Sequence, residues 1–249
     1  MLKKVFLLLP LSLQKTFISF YNKFIRFSTR NKSSLKFWSD HRKLEPVSDI
    51  YGLDRGQAID RYYIENFLEK NKKDINGIVL ELLNSNYTRK YGQRNIVRSD
   101  ILDIDVANKN ANIYADLTKA DSVKSDTYDC FILTQTLQFI FDLKNALCHS
   151  YRILKPGGTM LVTIPCVSRI DCVAGIDSDF WRFTKASANR MFTEFFPSDS
   201  IQIEVYGNVL VCTSFLMGLA SEELKKEELD YYDPNFPLLV CIRAVKPAP

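Results

Sequence analysis

Histidine is nearly missing from this chain: His41 and His149 are the only two in 249 residues, and they lie far apart. None of the six cysteines, at 130, 148, 166, 172, 212 and 241, forms a C-x-x-C pair. Zinc sites need Cys and His ligands at short spacing, so this pattern argues against one. Cys130 and Cys241 sit inside apolar runs and read as small buried hydrophobes in a reducing compartment. Long apolar runs are missing too. Val5 to Leu13 is interrupted by Pro10 and falls well short of the ~20 residues a transmembrane helix needs. Lys3 and Lys4 make this stretch look like the start of a signal peptide, but no small-residue cleavage site follows. Internal repeats and low-complexity segments are absent, and so is any nucleic-acid-binding motif.

What is present describes a globular protein. The chain is 46% hydrophobic, 12% aromatic and 25% charged, enough to bury a sizeable core. The net charge of +4 is unevenly spread. Lys3, Lys4, Lys15, Lys23, Arg26, Arg30, Lys32, Lys36, Arg42 and Lys43 face only Asp40 near the N-terminus. Phe17, Ile18, Phe20, Tyr21, Phe24 and Ile25 follow helical spacing among these cations. They predict an amphipathic helix, packed on the domain or lying peripherally on a membrane surface. The expected division is a basic extension and linker over 1–58 and one domain over 59–249.

From Asp60 onward the pattern is regular. A helix is expected over 61–70, with Asp60 as its N-cap. Apolar runs predict strands over 78–83, 95–105, 111–117, 128–134, 159–165, 201–206 and 237–245. Helices are expected over 88–91, 143–154, 185–195 and 209–228. Strands alternating with helices imply an α/β fold: a doubly wound, mostly parallel seven-stranded sheet with helices on both faces.

Ligands of such sheets bind beyond the carboxyl ends of the strands. Glu81 lies near the end of the first strand. Asp103 or Asp105 ends the second, at the spacing of an acid that accepts hydrogen bonds from ribose hydroxyls. Asp116 follows the third strand, where it can accept from an adenine amino group or cap the next helix. Gln135 follows the fourth, within reach of a cofactor or exposed on the surface. Lys155-Pro156-Gly157-Gly158 marks a tight turn into the fifth strand.

The segment Arg152-Ile153-Leu154-Lys155-Pro156-Gly157-Gly158, with Tyr128 to Gln138 before it, resembles the class I, Rossmann-like methyltransferase family over residues 77–246. That resemblance implies S-adenosylmethionine as cofactor, held by Glu81, Leu83, Asp103, Asp116, Leu117 and Gln135. Further phrases are similar to those of bacterial methyltransferase-like proteins found with glycosyltransferases of surface-polysaccharide biosynthesis. They are Tyr51 to Gly56, Ile59 to Glu65, Phe180 to Thr184 and Tyr206 to Val209. By that resemblance Arg55 and Tyr62 pack over the cofactor, and Trp181 and Arg182 lie by the acceptor pocket. Asp179 is the candidate base, chosen over Asp177 and His149. Its alternative role is an ion pair with Arg182, with Trp181 and Phe183 anchored in the core.

The expected activity is methylation of a small molecule or glycan, a sugar hydroxyl among them, in the cytoplasm or at the inner face of the membrane. The sequence departs from the family after its first strand. Glu81 to Tyr87 holds no glycine where a glycine-rich loop is the norm. This departure supports a second reading, a non-catalytic binding or scaffold partner of a glycosyltransferase. A nicotinamide-dependent oxidoreductase ranks last, because its glycine fingerprint is missing.

Overall fold

The computed structural model describes residues 44–171 and 173–248. The amphipathic helix and the signal-like opening fall outside the described residues. No helix among the described residues is long and apolar enough to cross a membrane.

The described residues form two compact units, 44–62 with Val209–Tyr231, and Tyr63–Asn208 with 232–248. The boundary at Tyr62 falls within the first helix among the described residues, α1 (Ile59–Lys70). This helix starts two residues before its expected position, so Asp60 lies in its first turn and is not its cap.

The second unit contains every strand among the described residues: β1 (Gly77–Leu82), β2 (Ile96–Asp103), β3 (Ile113–Tyr114), β4 (Tyr128–Thr134), β5 (Leu154–Pro165), β6 (Ile201–Tyr206) and β7 (Leu239–Val245). They form a single seven-stranded sheet in the order β3-β2-β1-β4-β5-β7-β6. β1 to β5 pair in parallel, and β7 runs antiparallel between β5 and β6. The fold class is the one expected from the sequence.

The strands read as continuous apolar runs because both faces of the sheet are covered. Phe131, Leu133, Met160, Val162 and Ile164 point to one face. There they meet Ala146, Leu147 and Ile153 of α3 (Leu143–Ile153), with Ala188 and Phe192 of α4 (Lys185–Phe192). The alternate residues Cys130, Ile132, Leu161 and Cys241 are buried as well. Each such side chain contributes ~1.5–3 kcal/mol through burial. Both helices start on side-chain caps. Asp142 accepts from Asn145 N, and Thr184 and Ser187 form a reciprocal box.

Several boundaries moved for physical reasons. β3 spans only two residues, Ile113 and Tyr114, because Asp116 then turns the chain into a 3-10 segment, Leu117–Lys119. β5 begins at Leu154, so Lys155 to Gly158 is a bulge within the strand and not a turn before it. Tyr128 pairs with Leu154, yet Cys130 pairs with Thr159. Gly157 has φ +80, and a Cβ on Gly158 would meet the Tyr128 carbonyl at 2.8 Å. Glycine at both positions is what lets the bulge form. α4 stops at Phe192, where the Thr193 hydroxyl bonds back to Asn189 O. The stretch expected to be one helix over 209–228 is three pieces: α5 (Val209–Leu216), a 3-10 turn (Ser221–Glu223) and α6 (Lys226–Asp230). Among the described cysteines, Cys130, Cys212 and Cys241 are buried as expected, whereas Cys148 is exposed.

In the first unit, Ser48 organises a run of turns. Its hydroxyl donates to Asp54 Oδ1 and accepts from the Ile50 and Gly52 amides. Tyr51 stacks on Phe215 with centroids 5.5 Å apart.

Candidate functional site

Strand order reverses between β1 and β4, since β2 continues the sheet on one side and β5 on the other. The loops leaving the carboxyl ends of these two strands therefore line the crevice in which open α/β sheets bind ligands.

Both strands leave the sheet through a left-handed residue. Leu83, directly after β1, has φ +65, and Gln135, directly after β4, has φ +48. Neither is glycine. A side chain in this region costs ~1–2 kcal/mol, and such strain persists only where the surroundings fix it. The surroundings here are hydrogen bonds. Leu83 N donates to Leu102 O, its carbonyl accepts from Asn108 Nδ2, and Gln135 N donates to Thr163 O. The Leu83 side chain, 60% exposed, contributes little packing. Leu83→Gly is therefore expected to keep stability within about 1 kcal/mol of wild type, since lost strain offsets the added chain entropy of glycine. Leu83→Val, β-branched and equally exposed, is expected to be clearly less stable than either. Thermal unfolding of the three proteins checks both expectations.

Glu81 is buried near the end of β1. Its Oε1 accepts from Tyr87 N, and its Oε2 accepts from Thr88 N and Thr88 Oγ1, at 2.8–3.0 Å. These are the first groups of α2 (Asn86–Tyr91), so Glu81 secures the loop that turns through Leu83. Burial pushes its carboxyl up, and the Thr88 and Tyr87 hydrogen bonds offset this only in part.

Asp103 is buried at the end of β2. Its Oδ1 accepts from Asp105 N at 2.9 Å and its Oδ2 from Asn108 Nδ2 at 2.7 Å. Asn108 thereby joins Leu83 and Asp103. The sequence reading missed it, although a dense Asp and Asn run from 103 to 112 is a signal for side-chain-bonded turns. Asp105 is exposed and accepts from Ala107 N. The Asp103 carboxylate thus joins the Asn108–Leu83 network, whereas the Asp105 carboxylate bonds the Ala107 amide. Asp116 caps the 3-10 turn through Thr118 N and Oγ1, and Leu117 is in the core.

Leu83 and Asp103 are therefore joined through Asn108, Glu81 holds the start of α2 beside them, and Gln135 lies across the switch point. Residues 75–162 match a family model described as a methyltransferase domain. A SAM-dependent methyltransferase from Archaeoglobus fulgidus is 14% identical with a TM-score of 0.50, and the match covers 75% of this chain and 94% of that one. The YcgJ protein from Bacillus subtilis is 11% identical at TM-score 0.47, over 76% of this chain and all of that one, 100%. Phosphoethanolamine N-methyltransferase 2 from Haemonchus contortus, solved with S-adenosyl-L-methionine, is 14% identical at TM-score 0.46, over 74% and 52%. No curated protein sequence matches the chain.

This is a Rossmann-like methyltransferase fold. Dinucleotide-binding Rossmann sheets place their sixth strand directly beside the fifth. Here β7 intervenes, antiparallel to both neighbours, which sets the nicotinamide reading aside at the level of fold.

The segment after β5 is bound to the loop after β4. Phe180 N and Trp181 N both donate to Gln138 O, and Trp181 Nε1 donates to Ile140 O. Trp181 also stacks on Phe141 at 5.7 Å. Two of the phrases that carried the resemblance, 128–138 and 180–184, are thus latched together. Arg182 grips Asp179 with two nitrogens, at 2.6 and 2.9 Å, and bonds the carbonyls of Ser168 and Arg169. Burial would raise the Asp179 carboxyl, but the Arg182 and Asp171 hydrogen bonds and the guanidinium charge outweigh it and hold the carboxyl low. Asp179 is thus ion-paired with Arg182, and Phe183 is buried in the core. Gln138, absent from the expected site, is buried. Its Nε2 donates to Gln135 Oε1, while its own Oε1 finds no donor among the described residues.

Arg55 and Tyr62 belong to the first unit and are engaged there. Arg55 pairs with Asp54 and Glu223 at 3.0 Å, and the Tyr62 hydroxyl donates to Asp230.

Proposed function

We propose that this chain is an S-adenosylmethionine-dependent methyltransferase whose acceptor is a small molecule or glycan, with sugar hydroxyls of polysaccharide biosynthesis the first class to test. The observation that carries the reading is the patch at the switch point, where Leu83 turns left-handed beside the buried Asp103. The patch fits the cofactor in two respects. The chain turns at Leu83 as a glycine would, keeping its backbone close to a ligand. Among the described residues Asp103 has spent one lone pair per oxygen, which leaves it able to accept from two ribose hydroxyls.

When bound, S-adenosylmethionine supplies a sulfonium methyl group for in-line displacement. The protein's own contribution is positioning, which can account for a large share of such a rate. Asp103 would orient the ribose, and Asp116 and Gln135 would flank the base and the methionine part. The unpaired Gln138 Oε1 would accept from an acceptor hydroxyl, and Arg182 would hold the Trp181 loop through Asp179.

A second reading keeps the fold and loses the chemistry, leaving a binding partner for a glycosyltransferase. What favours it is Leu83, a large exposed side chain where a bare backbone would serve a cofactor better. Titration calorimetry with S-adenosylhomocysteine separates the two. Micromolar binding, about −8 kcal/mol, is the expected result. Absence of binding would support the scaffold reading.

A further inference from the structure

A second cavity lies at the opposite ends of the strands. Its volume is about 450 Å³, within the size range of small-molecule sites. Ile78 at the start of β1, Arg98 in β2, Tyr128 at the start of β4 and Lys155 in the β5 bulge all line it. These are the amino ends of the strands, so the cavity is separate from the switch-point crevice.

Its floor is apolar. Ile78 and Ile113 pack on the core, and Val123 and the Tyr128 ring are buried. Its walls are held in place by the motif that the functional reading left without a task. Arg152 donates to the carbonyls of Ala120 and Val123 and to Ser125 Oγ, fixing the 120–125 wall at 2.7–2.8 Å. Lys155, which also lines the cavity, bonds both oxygens of Asp129 at 2.8 Å. Asp126 adopts φ +49, secured by its amide to Arg152 O and its carboxylate to Lys246. A cavity with fixed walls needs little reorganisation to bind.

The charges around it do not cancel. Asp100 is spent on Arg98 Nε, the Tyr128 hydroxyl and Asn112 Nδ2. Asp126 is spent on Lys246, and Lys155 on Asp129. Lys124 lines the same cavity, is exposed, and has no ion-pair partner among the described residues. An apolar floor under one uncompensated cation matches a ligand with a flat or acyl apolar body and one negative charge.

We propose that this cavity is a second ligand site, taking an amphipathic monoanion such as an aromatic carboxylate or sulfonate. The site is independent of the methyltransferase reading. The probe is 1-anilinonaphthalene-8-sulfonate, titrated by fluorescence on the full chain, with naphthalene-2-sulfonate as competitor and 1-naphthylmethylammonium as the cationic control. Saturable binding is expected, displaced by the sulfonate and at least tenfold less effectively by the ammonium compound. Lys124→Glu, on an exposed side chain, should weaken the probe about tenfold, as a charge reversal near the ligand does. Ile113→Glu should do the same by charging the floor. S-adenosylhomocysteine affinity should be unchanged in Lys124→Glu, which keeps this outcome distinct from the fate of the cofactor site. Probe binding unaltered by Lys124→Glu, equal displacement by the cation, or no saturable binding would each overturn the proposal.

Discussion

Glu81→Ala is expected to lower the free energy of unfolding by about 3 kcal/mol, because a buried acceptor of several hydrogen bonds is removed and its donors are left without a partner. The donors are Tyr87 N, Thr88 N and Thr88 Oγ1, all at the start of α2. Glu81→Gln keeps one carbonyl oxygen and should lose about half as much. Chemical denaturation of the two variants against wild type measures both, and equal stability of all three would show that α2 holds without the carboxylate.

Titration provides an independent check. Burial lifts the folded carboxyl above its ordinary 4.5, so the folded state holds this proton more tightly than the unfolded state does. In that situation stability falls as pH rises from the unfolded value through the folded one. Wild type should therefore lose stability between pH 4.5 and the raised folded value relative to Glu81→Gln, which carries no titrating group at this position. A constant difference between the two across that window would mean that Glu81 titrates as an exposed carboxylate does.

Glu81 also shows where reading from sequence stops. Its strand was legible, because a buried parallel strand must be a short apolar run, and 78–83 is one. The same held for β4, found at its expected bounds, and for β6. The role of Glu81 was not legible, because its partners six and seven residues on are met only once the chain has turned through Leu83. Asn84-Ser85-Asn86 signals a turn there, but nothing signals the left-handed residue that starts it: a leucine in that region looks like any leucine. The Lys-Pro-Gly-Gly segment was legible as a break, but whether it precedes the strand or bulges within it depends on the β4 register. Asp179 was ambiguous between a base and a partner of Arg182. Spacing alone shows no partner, whereas the fold brings two short contacts from one guanidinium onto Asp179.

Asp103→Ala is expected to weaken S-adenosylhomocysteine binding about 100-fold, the value of two hydrogen bonds to a charged acceptor at the lower end of their range. The reasoning turns on what the carboxylate has left to offer. One lone pair on each oxygen is used by Asp105 N and Asn108 Nδ2, and these bonds fix the plane of the group. The remaining lone pairs can take the two ribose hydroxyls at no further cost of orientation. The variant also releases Asn108, which braces the Leu83 carbonyl, so a loss of affinity could arise from a loosened loop. A ligand control distinguishes these causes. A 2′,3′-dideoxyribose analogue should bind wild type and Asp103→Ala alike, since it has no hydroxyls to lose. If the loop is responsible, the analogue weakens as much as the parent compound. Asp105→Ala should bind as wild type does, because its exposed side chain only caps the turn at Ala107. Wild-type affinity in Asp103→Ala would remove the ribose assignment and, with it, the main support for a cofactor in the β1–β4 crevice.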